Sequence, residues 1–428
     1  MSGVIHPRRS LDGLVLYRVR QRWQQPQLVD IEHEVITQIE CSGLLERLKP
    51  GNQVAITAGS RGIADIVSVL RALVRAVRAR GGDPFIFPAM GSHGGGTAAG
   101  QQALLAELGI TGQTTGTLVR ASMEVVQLGQ TSAGTPIYLD ALAARADGII
   151  VVNRIKKHTN IDGQVESGLC KMMTIGMGKH AGAAAMHQLS NTDLASELIP
   201  GAQLVLRQSP IWGGVALIEN TSGNLAEVVC LGSDAIIERE PELLRYAKTL
   251  SATIPFHRID IALVERMGKE ISGTGMDCFV IGRRRIIGEP EWEEAPMIHS
   301  LVLLDISPAS HGNAVGVGLA DFTTQRLVSK IDWQVTMANV MTSGNLERAK
   351  VPLTFPDDRQ ALEAAAFRER SRPLDSLRFV ALRDTLHLQE LVVSEGLVNE
   401  CHAAMEVLDG PFPVRFDAQG NWISPLTS

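Results

Sequence analysis

The sequence predicts an α/β fold of two α/β domains, each with a mainly parallel sheet, flanking an active-site cleft. Short apolar runs with strand character alternate with segments of helical periodicity along most of the 428 residues, which is the pattern of βαβ units. The 41 glycines suit the many tight strand-to-helix turns of such a fold. Because the alternation restarts near Ile254-Pro255-Phe256, we expect domains over residues 1–255 and 256–428.

In the first predicted domain, each strand is followed by a turn rich in glycine or polar residues. The strand NQVAITAG ends at Ser60-Arg61-Gly62, and the helix after it stops at Gly81-Gly82. Thr97 opens the helix that follows the glycine loop. The predicted elements are strand 52–59, helix 63–82, strand 84–90, helix 98–109, strands 123–129, 135–140 and 147–158, a Met-rich helical segment 167–187, and mostly helix over 190–255.

The second predicted domain repeats the pattern with fewer elements. We expect strands at 259–266 and 300–307, helices within 320–341 and 359–370, and late strands within 377–395. No internal repeat or low-complexity linker is visible in the sequence.

Composition excludes several classes of protein. A net charge of -6 argues against a general nucleic-acid binder, which needs a clustered basic surface. No apolar run approaches the roughly 20 residues that cross a bilayer, and the first residues lack the apolar core of a signal peptide. The five cysteines are scattered without CxxC spacing, so neither a disulfide framework nor a structural zinc site is indicated. We expect a cytoplasmic protein without membrane contact.

Two turns at the ends of predicted strands carry residues suited to binding anions. His93 lies in the loop GSHGGG, where open α/β sheets bind ligands and glycines let the backbone approach them. Arg61 begins a helix, where backbone amides and a guanidinium fork favour a carboxylate or phosphate. The alternative for His93 is an incidental exposed histidine in a strained turn.

The densest polar cluster follows the strand 147–158. Lys171 lies in the apolar stretch CKMMTIGMG, where loss of water lowers a lysine pKa and makes the amine a covalent or general-base candidate. A lysine that reaches out from a helix to solvent explains this stretch equally well. His187 is a metal-ligand candidate or a packed core histidine. Lys269, in a glycine-rich loop of the second domain, is a candidate for a ligand across the cleft.

These residues indicate proton or hydride chemistry on a small anionic substrate, without naming it. No GxSxG, Walker A or HExxH pattern is present.

Five positions together resemble the nickel-dependent lactate racemase family, whose members use a nickel-pincer nucleotide. Arg61 matches the family's arginine in the first strand-helix turn, and His93 and His158 match its two histidines. Ser167-Gly168-Leu169-Cys170-Lys171 fits its Ser-Gly-x-x-Lys motif. His187 lies sixteen positions after the lysine, where that family has its nickel ligand.

The resemblance implies an isomerase, a racemase or epimerase of 2-hydroxy acids that works by reversible hydride transfer. Lys171 would hold the cofactor covalently through a thioamide, and His187 would complete the square-planar set of nickel ligands. His93 and His158 would face each other across the substrate carbon as two bases. Arg61 would hold the substrate carboxylate or a cofactor contact near it. Further cofactor contacts are implied at Ser60, Ser167, Gly168 and, as a second cation, Lys269.

Departures from the lactate enzymes favour a different substrate. His158 and Lys171 are thirteen positions apart, about three more than in those enzymes, and Thr159-Asn160 replaces their aromatic pair. Asp162, Gln164 and Glu166 follow closely. Because polar side chains suit hydroxyl groups better than a methyl group, we expect a longer or polyhydroxylated 2-hydroxy acid, such as a sugar acid.

Two alternatives stay open. His93, His158 and His187 could hold a simple divalent metal in a lyase or hydrolase acting on a small anion, although such sites usually add a carboxylate ligand. The chain could instead be a ligand-binding homologue without catalysis. The expected partners are the substrate, proteins that synthesise the cofactor, and further copies of the chain in a homo-oligomer.

Overall fold

The computed structural model describes residues 7–159, 161–401 and 404–426. Within these ranges the strands are β1 Val15–Gln21, β2 Gln53–Ala58, β3 Asp83–Pro88, β4 Val125–Gln130, β5 Pro136–Asp140, β6 Gly148–Arg154, β7 Ile211–Glu219, β8 Leu225–Gly232, β9 Arg258–Met267, β10 Met297–Ile306, β11 Phe322–Thr324, β12 Leu353–Phe355, β13 Phe379–Leu382, β14 Glu390–Ser394 and β15 Met405–Pro413.

The helices of the same ranges include one π-helical turn, Met172–Gly176, which continues α6 directly. The α-helices are α1 Ile31–Ser42, α2 Ile66–Ala79, α3 Ala98–Glu107, α4 Gly112–Thr115, α5 Ala141–Ala144, α6 Leu169–Lys171, α7 Lys179–Met186, α8 Asn191–Gln208, α9 Ile236–Thr249, α10 Gln325–Val328, α11 Trp333–Ser343, α12 Asp358–Arg368 and α13 Glu395–Val398. Short 3-10 turns lie at Gly94–Gly96, Pro308–Ser310, Val317–Leu319 and Leu346–Ala349.

The chain divides into two compact units, and the division corrects the predicted domains. One unit spans residues 25–251, and the other combines residues 1–24 with 252–428. The predicted joint at 255 lies close to this boundary, but the first 24 residues do not belong to the N-terminal unit. The reason is strand pairing: β1 lies between β14 and β15 and is antiparallel to both.

The unit of residues 25–251 is built on a five-stranded sheet in the order β3-β2-β6-β7-β8. The first four strands are parallel, and β8 is antiparallel to β7. Their interior positions are almost completely buried, as apolar strands with helices on both faces require. The carboxyl ends of β2, β3 and β6 therefore meet at one edge of the sheet.

Strands β7 and β8 overturn the prediction that residues 190–255 are mostly helical. Two glycines near the start of β7 make its sequence less typical of a strand. They are needed because atoms of neighbouring residues lie close to the backbone there. A Cβ on Gly213 would lie 2.1 Å from the carbonyl oxygen of Leu231 in β8. The two helices that flank this hairpin, α8 and α9, are the part of the prediction that is confirmed.

The second unit contains an eight-stranded sheet in the order β12-β11-β10-β9-β13-β14-β1-β15. Strands β9 to β13 pair in parallel, whereas β14, β1 and β15 pair antiparallel. The segment 320–341, predicted as helical, begins instead with β11, and the Thr324 hydroxyl accepts the Leu327 amide at 3.1 Å to start α10.

The α/β fold with two mainly parallel sheets is confirmed. Each sheet has its own buried apolar layers on both faces, as βαβ units predict. None of the helices in the described ranges has the length and apolarity needed to span a bilayer.

Candidate functional site

Arg61 follows β2 in an exposed turn at the carboxyl edge of the first sheet. The turn is fixed by Glu219 at the end of β7, whose carboxylate accepts the Ala64 amide at 2.8 Å and pairs with Arg154 of β6. Asp65, with a positive φ of 50°, turns the chain into α2. The Arg61 guanidinium has no hydrogen bond or ion pair with any residue that the structure describes, so it is available to an anion.

His93 follows β3 in the glycine loop, as predicted, and its side chain is accessible to solvent. The ring Nδ1 lies 2.8 Å from the Met90 carbonyl oxygen. Loss of water around part of the ring lowers the pKa of His93, and the nearby Arg61 and Lys171 lower it further. The ring is therefore neutral at physiological pH, as a proton acceptor must be.

A buried lysine stabilises the His93 loop, and its burial is not indicated by the sequence. Lys179 is fully buried and forms an ion pair with Asp140 at 3.0 Å. Its amine also donates to the Pro88 carbonyl oxygen and, at 3.3 Å, to Gln101. Gln101 in turn donates to the carbonyl oxygens of Gly91 at 2.8 Å and His93 at 3.3 Å. No local pattern in KHAGAAAM separates this buried lysine from an exposed one.

His158 lies just after β6, and its ring is half-buried. Its backbone amide donates to the Glu166 carboxylate at 2.6 Å, and its ring Nδ1 accepts the Ile161 amide at 3.1 Å. Glu166 is itself buried and forms an ion pair with Lys248 at 2.6 Å. The Glu166 carboxylate is therefore occupied by Lys248 and the His158 amide. Asn160 lies outside the described residues.

Position 168 of the Ser-Gly-x-x-Lys motif requires glycine, because the neighbouring atoms leave no space for a side chain. A Cβ at this position would lie 2.1 Å from a carboxylate oxygen of Glu240 and 2.6 Å from the Ile155 side chain. The side-chain amide of Asn153 donates to the Gly168 carbonyl oxygen at 2.8 Å. Ser167 pairs its backbone with Lys156 through hydrogen bonds of 2.9 and 3.2 Å. The residues of the motif are therefore tightly packed where the chain enters α6, the helix that contains Lys171.

Glu240 is a second positioning residue that sequence reasoning missed. It projects from α9, is 1% exposed, and accepts the Cys170 amide at 2.8 Å at the start of α6. Burial raises the pKa of Glu240 to about 7. The Cys170 thiol faces this carboxyl, and burial raises the pKa of the thiol well above its usual value. Cys170 is therefore an inert, packed thiol.

Lys171 is half-buried at the end of α6, and its amine forms no hydrogen bond or ion pair within the described ranges. Burial, together with the nearby cations Lys156 and Arg61 and against the opposing effect of Glu166, lowers the pKa of Lys171 to about 8. A larger fraction of the amine is therefore neutral and nucleophilic at physiological pH than for an exposed lysine.

His187 lies at the end of α7 and is exposed. Loss of water around the ring lowers its pKa, with smaller effects of Lys171 and His93. These mutual effects place Arg61, His93, Lys171 and His187 within electrostatic reach of one another. The imidazole is neutral, which is the form that binds a metal.

Lys269 belongs to the other unit. Its amine donates to the Gly273 carbonyl oxygen at 2.7 Å and to Asn339 at 2.8 Å. Its role as a cofactor contact stays a prediction.

The residues present fit an anionic cofactor that carries a metal with affinity for imidazole nitrogen. Arg61, Lys156 and Lys171 concentrate positive charge at the edge of the sheet, where a nucleotide phosphate or carboxylate is stabilised. Lys171 could offer an amine for covalent attachment, and His187 could offer a neutral nitrogen ligand.

Comparison with known proteins identifies a family for part of the chain. The solved structure of the lactate racemase apoprotein from Thermoanaerobacterium thermosaccharolyticum is 11% identical, covers 85% of this chain and 84% of that chain, and has a TM-score of 0.46. No protein in the comparison with curated sequences matches significantly. Residues 15–197 match the sequence model of the lactate racemase N-terminal domain. The matched segment includes Arg61, His93, His158, Lys171 and His187.

Proposed function

We propose that the protein is a racemase or epimerase of 2-hydroxy acids that uses a nickel-pincer nucleotide. The observation that carries the proposal is Lys171, a half-buried amine of lowered pKa without a partner in the described residues, set among cations and histidines. The match of residues 15–197 to the sequence model of the lactate racemase N-terminal domain supports the same reaction class.

The cofactor would be anchored and oriented by residues of the first sheet edge. Lys171 would carry the covalent bond and His187 would be the protein ligand to nickel, and Ser60, Ser167 and Gly168 are proposed for further contacts. A cofactor contact at Lys269 stays a prediction from the sequence resemblance. When bound, the group supplies a hydride acceptor and donor, which protein side chains cannot supply. Proteins that synthesise the cofactor are the implied partners.

The substrate would be held and deprotonated by residues at the ends of β2 and β3. Arg61 has a guanidinium available for the carboxylate of a 2-hydroxy acid, in the bidentate geometry that favours this pairing. His93 has a neutral ring that can remove the hydroxyl proton. His158 follows β6 on the other side of β2, so the two histidines flank the strand that positions Arg61.

The substrate we propose is longer or more hydroxylated than lactate. Asp162 and Gln164 are exposed and Thr159 is half-buried in the loop after His158, and their polar groups can bind substrate hydroxyls. Glu166 is excluded from this role, since its carboxylate is occupied by Lys248 and the His158 amide.

The proposal is tested by stereoisomer exchange in protein made together with the cofactor-synthesis proteins. Each enantiomer of lactate and each C2 epimer of an aldonic acid is incubated with the protein, and the appearance of the opposite stereoisomer is measured. We expect faster exchange of the aldonic acid, and loss of exchange in Arg61→Met but not in Arg120→Met, a matched arginine outside the predicted site. Faster exchange of lactate would refute the substrate class, and no exchange of any 2-hydroxy acid would refute the function.

The simple-metal alternative finds no support in the described residues. Among the described residues, a possible metal site needs three His, Cys, Asp or Glu side chains whose ligand atoms lie within 4.8 Å of one another. The group that meets this condition is Asp260, His299 and Glu369, in the other unit. Asp260 accepts the Arg378 amide at 2.9 Å and faces Arg372 at 3.3 Å. These cationic neighbours disfavour a divalent ion, and His93, His158 and His187 form no such trio.

A further inference from the structure

Two polar side chains of α9 contact the two ends of one short segment, residues 166–170. The Lys248 amine forms an ion pair with Glu166 at 2.6 Å. The Glu240 carboxylate accepts the Cys170 amide at 2.8 Å. Positions eight apart on a helix lie on the same broad face, so one face of α9 makes both contacts.

The dimensions of α9 and of the 166–170 segment match. Eight residues of α-helix span about 12 Å, and four steps of extended chain span about 13 Å. Gly168, in the middle of the segment, has extended backbone with φ 178° and ψ -154°. Glu240 lies directly against this glycine, since a Cβ there would be 2.1 Å from its carboxylate oxygen. The segment therefore follows α9 in the opposite direction and in contact with it.

Each end of the 166–170 segment adjoins a residue of the candidate site. Glu166 accepts the backbone amide of His158 at 2.6 Å. Cys170 directly precedes Lys171 in α6. A displacement of the segment would therefore change the position of Lys171 relative to the His158 backbone.

The contacts of α9 with this segment are buried. The Glu166 and Glu240 side chains are almost completely excluded from solvent. Between the two polar contacts, Leu244 and Ala247 of α9 belong to the same buried apolar cluster as Leu169 of the segment. A buried carboxylate that loses its partner is costly, so these contacts define one arrangement of helix and segment.

We propose that α9 fixes the Lys171 amine relative to the His158 backbone by holding the 166–170 segment at both ends, with Glu240 and Lys248 as positioning residues. Both act through the segment and are not catalytic residues. The consequence for catalysis rests on the proposed function, whereas the consequence for the Lys171 amine does not.

Loss of either α9 contact should raise the pKa of Lys171. Burial is the largest cause of its lowered pKa, and a displaced segment lets the amine reach water. Without Lys248, the negative charge of Glu166 is also less neutralised, and that charge raises the pKa of Lys171. Both effects move the pKa from about 8 toward the ordinary 10.5. The charged and titratable groups near the amine are Lys156, Arg61, Glu166, His93 and His187.

The test measures acetylation of Lys171 by N-hydroxysuccinimidyl acetate from pH 6 to 10 in the full chain without cofactor. Peptide mass spectrometry gives the rate, with the exposed Lys49 as reference. Glu240→Leu and Lys248→Met remove the two contacts. Glu240→Gln keeps an acceptor oxygen, and Lys248→Arg keeps the cation. Arg245→Met is the control, because it removes an exposed cation from the same helix.

We expect a labelling midpoint near pH 8 in the wild type, in Glu240→Gln, in Lys248→Arg and in the control. The midpoint should be higher by about one unit or more in Glu240→Leu and Lys248→Met. Circular dichroism verifies folding at each pH, and a loss of stability alone does not move the midpoint of the folded protein. An unchanged midpoint in either folded variant, or the same rise in Arg245→Met, overturns the proposal. The Lys248 side chain is 34% exposed, so Lys248→Met decides the matter if Glu240→Leu does not fold.

A second arm measures kcat and KM of the same variants in cofactor-loaded protein, on the best 2-hydroxy acid. We expect kcat of Glu240→Leu and Lys248→Met to fall about 10–100-fold, the effect of a misplaced reacting group. KM should change less than about threefold, because Arg61, the proposed carboxylate ligand, lies outside the 166–170 segment. Wild-type kcat in both variants, or an equal loss in Arg245→Met, overturns the positioning role. If loaded wild-type protein turns over no 2-hydroxy acid, the proposed function fails, and the labelling midpoints still decide whether α9 positions Lys171.

Discussion

At the scale of single residues, a buried carboxyl next to the motif lysine is the group with the clearest consequence for stability. Glu240 is 1% exposed, and the amide at the start of the Lys171 helix donates to it. Its pKa of about 7 exceeds the ordinary 4.5 because burial penalises the charged form. The folded protein therefore keeps the Glu240 carboxyl in a buried position in which its ionised form is disfavoured.

The pH dependence of stability follows from that pKa. Between about pH 4.5 and 7 the folded protein binds more protons at Glu240 than the unfolded chain, so the free energy of unfolding falls as pH rises. The full effect is about 3 kcal/mol. We expect Glu240→Gln to lack this decline when denaturant unfolding is followed from pH 4.5 to 7.5. Glu242→Gln, at an exposed position of the same helix, is the control and should keep it. An unchanged slope in Glu240→Gln would show that folding does not raise the pKa of this carboxyl.

Sequence reasoning at this scale names candidate site residues but gives no sign of the buried residues that contact them. Arg61, His93 and Lys171 stand out because a charged or titratable residue directly follows an apolar strand or interrupts an apolar stretch. Lys179 and Glu240 carry no such signal, since their burial depends on contacts with residues distant in the chain, Asp140 and Cys170.

At the scale of elements, the His93 loop depends on the buried ion pair beneath it. Lys179 joins α7 to β5 through Asp140 and to the end of β3 through Pro88. Its φ of 53° is a left-handed conformation that a lysine adopts only when its contacts fix it. The interaction therefore links three elements that are not adjacent in the sequence.

Removal of this cation should be costly. Lys179→Met leaves the Asp140 carboxylate buried without its partner, and we expect a loss of about 3–5 kcal/mol in the free energy of unfolding. Amide hydrogen exchange of residues 90–93 should accelerate as well. The matched variant Lys330→Met breaks a half-exposed pair with Asp305 at 2.7 Å and should cost under about 1 kcal/mol. Equal losses in the two variants would contradict a buried, structural role for Lys179.

The elements predicted from sequence are those whose apolar pattern is continuous. β2, β3 and β6 are mainly apolar, and the predictions of these three strands are confirmed. β7 was missed because Gly213 and Gly214, which the close approach of neighbouring residues requires, are weak strand formers. The short β11 was assigned to a helix, since three residues give no measurable period.

At the scale of the whole molecule, one unit combines the first 24 residues with residues 252–428, and local sequence patterns do not indicate this. β1 reads as the start of the N-terminal domain, yet it pairs with β14 through the register Leu16↔Ser394 to Arg20↔Glu390. Pairing between residues so distant in sequence depends on the completed second sheet, and single-sequence periodicity carries no information about it.

Deletion of residues 1–24 should therefore damage the unit to which they belong. Without β1, strands β14 and β15 lose their shared partner. We expect the amides of these two strands to lose protection from hydrogen exchange, while those of β2, β3 and β6 keep it. Loss of protection in β2 and β6 instead would assign the N-terminal segment to the first unit after all.

The covalent role of Lys171 is the centre of the proposed function, and intact mass spectrometry tests it most directly. The protein is expressed together with the cofactor-synthesis proteins, beside Lys171→Ala and the control Lys49→Ala, which changes an exposed lysine. We predict a nucleotide-sized mass increase on the wild type and on Lys49→Ala, and none on Lys171→Ala. An unmodified wild-type mass, in a host where a known lactate racemase is modified, would contradict the proposal.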